Sequence, residues 1–282
     1  MTPLAQRLMR QELEGRRGWF PQELASSELP HMRCFDCVAV SEMSEDLAAD
    51  MRDRDVITRQ VAFLPAPLTW IEYKPWPTEN RSIAYLLRAN DDASSASVYL
   101  AHVLLESDAG NASPRLQAVA QPAILASMVN KVNLVPMGTL YLGQDACAMG
   151  MRLPRPDIMP EEFPDPNDGI IFKIYALLAI INTPRLIGQC QRTPHVGLQR
   201  QLRQSKDFAS AELPEWTQVN LHVLDGRERR EAGDISGVLS GQRALHFCRS
   251  FIRIRLGKLE LVRAHMRGNA ELGERRPIYV VQ

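Results

Sequence analysis

The stretch Gly169 to Ile181 (GIIFKIYALLAII) constrains the fold of this 282-residue chain more than any other. It is apolar on every side except at Lys173. A helix of that kind has no polar face for water and belongs inside a fold or a membrane. Spanning a bilayer takes about 20 apolar residues, and this run falls short. The pattern therefore predicts a helix over Ile170 to Ile181, buried at the centre of a globular fold. Asn167 and Asp168 suit its N-cap, and Asn182-Thr183-Pro184 ends it.

What must surround that helix is read from period and punctuation. Leu4, Leu8, Met9 and Leu13 fall on one face of an amphipathic surface helix. Pro21 to Glu28 and Glu42 to Arg54 read as short helices. Strands are expected at Val56 to Leu64, Leu68 to Tyr73, Ser82 to Arg88 and Ser97 to Leu105. Their short connections favour antiparallel pairing. Glu72 is expected to be the exposed member of an alternating strand. Further on, a helix is expected at Gln121 to Val129 and a strand at Val132 to Leu142. Proline-rich Leu153 to Asp168 reads as a loop, and His195 to Gln204 as a basic helix or coil. Strands follow at Gln218 to Val223, Leu245 to Leu256, Leu259 to Met266 and Ile278 to Val281. Asp225 to Gly241 reads as a loop. The expected class is α+β, with mixed or antiparallel sheets packed around the buried helix and a C-terminal β-hairpin. The expected division is a helical N-terminal extension, 1–55, and a core domain, 56–282.

The chain has 33 basic and 33 acidic residues, which excludes a globally basic nucleic-acid coat. The charge is nonetheless uneven. From Gln242 to Arg276 there are nine basic residues against three acidic ones, a local +6, so the remainder carries −6. Eight of the nine are arginine, the side chain suited to bidentate phosphate contacts. Leu256-Gly257-Lys258-Leu259 suits a two-residue hairpin turn. That turn sets Cys248 opposite Arg267, Ser250 opposite His265, Ile252 opposite Arg263 and Arg255 opposite Glu260. His246, Ser250, Arg263, His265 and Arg267 would then cluster at the open end of one face. Arg249, Arg253, Arg263, Arg267 and Lys258 are the candidate anion-binding residues. His246 and His265 are candidates for general acid and base on a phosphodiester.

Other constellations are thinner. His31-x-x-Cys34-x-x-Cys37 has metal-like spacing, but a structural zinc takes about four ligands and no second such pair exists. No cofactor motif is present: GxGxxG, a Walker loop, a nucleophile elbow and HExxH are all missing. Five cysteines, an odd number, fit reduced thiols in a cytoplasm rather than a disulfide framework. The charged stretch Met1 to Gly18 lacks the apolar centre of a signal peptide.

Three stretches also carry a resemblance. They are Leu64-Pro65-Ala66-Pro67-Leu68-Thr69-Trp70-Ile71-Glu72, then Asn182-Thr183-Pro184-Arg185, and then His246 through Arg249 and Gly257-Lys258 to His265-Met266-Arg267-Gly268. In this order they resemble an uncharacterised group of proteins encoded by tailed phages and prophages. In that group the C-terminal strand often reads Arg-Gly-His, whereas here it reads Arg249-Ser250-Phe251. The resemblance implies a setting, the cytoplasm of an infected or lysogenic bacterium, and no reaction. Three functions follow as expectations. The chain is a phage accessory protein that binds nucleic acid or another phosphate-bearing partner through the C-terminal hairpin. Alternatively it is a phosphodiesterase or nuclease using His246 and His265, or an antagonist of a host protein. No membrane partner is expected.

Overall fold

The computed structural model of the chain describes residues 1–16, 18–53, 62–75, 81–91, 94–103, 128–143, 167–183, 188–220, 244–248, 251–255, 258–262, 265–267 and 269–275. The architecture is α+β with a seven-stranded mixed sheet. In chain order its strands are β1 (Arg33–Asp36), β2 (Leu68–Tyr73), β3 (Ile83–Ala89), β4 (Ser95–Val103), β5 (Val132–Tyr141), β6 (Gly188–Arg192) and β7 (Trp216–Asn220). In space they run β5-β4-β3-β2-β1-β7-β6. β2, β3 and β4 pair antiparallel, as their short connections dictate, and β5 extends the pairing. β1 runs parallel to both β2 and β7, and β6 closes the other edge antiparallel to β7.

β1 (Arg33–Asp36) lies inside the sheet between β2 and β7, within the stretch 1–55 expected to be a helical extension. Four residues (RCFD) are too few to display a period of two. A parallel strand also needs no hairpin turn to announce it. The expectations at Val56 to Leu64, Gln121 to Val129, Leu153 to Asp168, Asp225 to Gly241 and Ile278 to Val281 fall wholly or largely outside the described residues.

Helices cover both faces of the sheet. On one face lie α1 (Pro3–Leu13) and, from later in the chain, a helix over Val196–Gln204. Leu4, Leu8, Leu198 and Leu202 pack there with Cys34, Trp70, Leu86 and Leu134. On the other face lie α2 (Ser41–Asp53) and α3 (Asn167–Ile181). Ile174, Leu177, Leu178 and Ile180 are fully buried there, against Phe35, Ile71, Tyr85 and Leu87. Each such leucine or isoleucine contributes roughly 1.5–3 kcal/mol by leaving water. Neighbouring residues of a strand point to opposite faces, so β2 feeds both cores, and all six of its residues are buried. The helix over Val196–Gln204, called α4, is capped by His195, whose Nδ1 accepts from the Leu198 amide at 3.2 Å.

The C-terminal part adds β8 (Ala244–Cys248), β9 (Phe251–Arg255), β10 (Lys258–Val262), β11 (His265–Arg267) and β12 (Asn269–Arg275). β9 and β10 form one antiparallel pair, and β11-β8-β12 form a three-stranded sheet. β10 lies beside α2. Among the described residues no helix is long and apolar enough to cross a membrane.

Candidate functional site

The C-terminal register differs from the expected one by two residues. Lys258 stands opposite Arg255, so the chain reverses one residue earlier than the Leu256–Leu259 turn requires. His246 then stands opposite Arg267, and Cys248 opposite His265. Ser250 opposite His265, Ile252 opposite Arg263 and Arg255 opposite Glu260 are therefore corrected. The observed register sets Ile252 opposite Leu261, Ile254 opposite Leu259, Phe251 opposite Val262 and Arg253 opposite Glu260. The register sets three apolar pairs and one ion-complementary pair against one like-charged pair, Lys258 opposite Arg255. A shift of two preserves which residues share a face, so His246, His265 and Arg267 stay on one face, now with Cys248 opposite His265, while Ser250 and Arg263 fall outside the described residues.

The third strand enlarges this group. β12 runs parallel to β8 and sets Arg275 beside His246. Arg267, His246 and Arg275 thus form one row across β11, β8 and β12. His265 occupies the next row of the same parity, opposite Cys248. Arg253 has Glu260 opposite it, and Lys258 has Arg255. Arg249 and Arg263 fall outside the described residues. Arg275 escapes sequence reasoning because a parallel neighbour on β12 leaves no local turn signal.

His31, Cys34 and Cys37 are not brought together. His31 is exposed at the end of a 3-10 helix (Ser26–His31). Cys34 belongs to the core under α1, whereas Cys37 belongs to the core under α3. Burial pushes the Cys34 thiol up to about 12, and burial raises Cys37 as well. Thiols so hard to ionise are poor nucleophiles and poor ligands. Among the described residues no three His, Cys, Asp or Glu side chains converge as a metal site.

Glu72 is 2% exposed, which corrects the expectation of a solvated strand residue. Both faces of β2 are covered, so alternation here separates two cores rather than core from water. Glu72 Oε2 accepts from the Leu4 amide at 3.0 Å. Leu4 sits in the first turn of α1, where backbone N–H groups lack partners, and the Thr2 N-cap side chain makes no capping bond. The carboxyl group of β2 therefore caps α1 and fixes it to the sheet. Burial raises the Glu72 pKa, and the Leu4 amide opposes that rise.

The other core holds Lys173, 4% exposed, on α3. Its ammonium is ion-paired with Glu45 of α2 and lies 4.9 Å from the centre of the Tyr73 ring. Tyr73 and Tyr85 are stacked, with their hydroxyls 2.9 Å apart. Burial lowers the Lys173 pKa and the Glu45 carboxylate opposes this. The lysine that interrupts the apolar run thus ties α3 to α2. No protein-family model, curated protein or solved structure matches the chain.

Proposed function

We propose that the chain binds nucleic acid through its C-terminal sheet, in the setting of a bacterial cell carrying a phage or prophage. One observation carries this reading: Arg267 and Arg275 stand on either side of His246 in a single cross-strand row. Among the described strand pairs no acidic residue stands opposite any of the three. Arginine is suited to phosphate, and phosphate contacts supply most of the affinity of nonspecific nucleic-acid binding. The test is a mobility-shift titration with single- and double-stranded DNA and RNA at about 50 mM and about 200 mM salt. A shift that weakens steeply with salt supports the reading. No shift at the lower salt with any of the four overturns it.

A second reading, a nuclease, is favoured by the observed register. His265 lies opposite Cys248, two residues along β8 from His246, so the histidines occupy adjacent rows of one parity. General acid–base catalysis on a ribose phosphodiester needs two such groups near one phosphate. Cleavage that His246→Ala and His265→Ala each abolish, without loss of binding, supports it. Intact RNA and DNA after incubation with wild-type protein, with and without divalent metal, rules it out.

A further inference from the structure

A second basic feature lies at the other end of the chain. The exposed side of α1 carries Arg7 and Arg10, with the C-cap Glu14 following at i+7 from Arg7. With Arg16 and Lys131 they line a concavity of about 410 Å³. Among the described lining residues Arg7, Arg10, Arg16 and Lys131 are basic and Glu14 is acidic, and Arg16 is ion-paired with Glu14. A second concavity, about 300 Å³, shares Arg10 and Glu14 and reaches Gln201 and Gln204 of α4. Arg10 is the link between the two.

The walls are fixed by hydrogen bonds. Arg7 Nη2 donates to the Asn130 carbonyl at 2.6 Å, and Gln11 Oε1 accepts from the Val132 amide at 3.0 Å. Asn133 Oδ1 accepts from the Trp19 amide at 2.8 Å, tying the chain after α1 to β5. Gly18 is required at that approach, since a Cβ there would lie 2.4 Å from the Val132 carbonyl oxygen. Asn130 takes a left-handed φ of 58° at the turn into β5. The cleft is therefore preorganised, which lowers the entropic cost of binding. Among the described residues no aromatic side chain lines either concavity, so the walls offer no platform for stacking on a base. Volume and charge suit a compact ligand with several negative charges.

We infer that the cleft between α1, the Asn130 turn and α4 binds a compact polyphosphate, either inorganic or the polyphosphate portion of a nucleotide. The site is independent of the C-terminal row. Inorganic tripolyphosphate titrated calorimetrically into the full chain at low salt should bind saturably. Arg10→Glu should weaken binding by about 10- to 100-fold, the range for removing a charge-assisted hydrogen bond and reversing its charge. Glu14→Gln should tighten it severalfold, a gain that misfolding cannot produce. Replacing Arg267 and Arg275 with alanine should leave it unchanged, which separates this site from the proposed nucleic-acid surface. ATP should bind within about threefold of tripolyphosphate, because no stacking partner adds to the phosphates. The inference is overturned by absence of saturable binding, by an Arg10→Glu variant with wild-type affinity, or by an ATP preference of about tenfold or more.

Discussion

β2 and β8 each run between two neighbours, yet they use charge in opposite ways. In β2 the one charged residue, Glu72, is enclosed, and its oxygen meets a backbone amide that α1 leaves unpaired. That charge is explained by the fold. In β8 His246 has arginines on both sides, and in the β9–β10 pair Lys258 stands opposite Arg255. Like charges directly opposite cost about 0.2–1 kcal/mol, and the strand pairing itself does not offset that cost. The difference teaches where to look for function. A charge that completes a helix cap accounts for itself, whereas basic residues gathered in register have no such structural partner in the strand pairing.

The comparison breaks first at Glu72. Glu72→Ala leaves the Leu4 amide unsatisfied and a void beneath α1, and should cost about 2–4 kcal/mol in urea unfolding. Glu72→Gln keeps an acceptor and should recover most of that loss. The pH dependence is equally specific. The folded-state pKa of Glu72 lies above its ordinary value of 4.5, so its contribution is full below 4.5 and is lost as pH rises through the folded value. Unfolding midpoints measured across that window should lose this slope in Glu72→Gln.

Lys173 provides the next, smaller effect with the opposite sign. Its folded-state pKa lies below 10.5, so the stability tied to it rises with pH up to 10.5 and is lost as pH falls through the folded value. Glu45→Ala removes a partly exposed partner and should cost about 1 kcal/mol near neutrality, less at alkaline pH. Lys173→Met should fold within about 1 kcal/mol of wild type, because a buried ion pair repays little of its desolvation. Either result is read from denaturant midpoints.

The smallest stability change belongs to the C-terminal row. Arg267→Ala should shift unfolding by no more than about 0.5 kcal/mol while weakening nucleic-acid binding about tenfold. Stability and binding should thus separate in the row across β11, β8 and β12 and not at β2.

Much of this frame is legible in local pattern. Leu68 to Tyr73 shows its strand by aromatic and β-branched content, and the all-apolar α3 sequence requires burial. What is not legible is whatever depends on a remote partner. The environment of Glu72 is set by α1, some 70 residues away in sequence, so alternation alone points to a surface residue where the fold has a buried one. The face of the C-terminal strands is readable because parity survives a two-residue slip, but the register is not. In the observed register Ile252 meets Leu261, where the Leu256–Leu259 turn would have set it against Arg263. The α1 cleft shows its basic spacing in sequence, but Lys131 and α4 join it only in the folded chain.

The salt dependence of nucleic-acid affinity reports how many phosphates the Arg267–His246–Arg275 row would neutralise. Fluorescence anisotropy gives the slope of log K against log salt for wild type and for the Arg267→Ala, Arg275→Ala double variant. If the row binds phosphate, the variant should bind more weakly and its slope should fall by about 2, one for each arginine that no longer neutralises a phosphate. An unchanged slope with unchanged affinity would contradict the assignment of this row as the nucleic-acid surface.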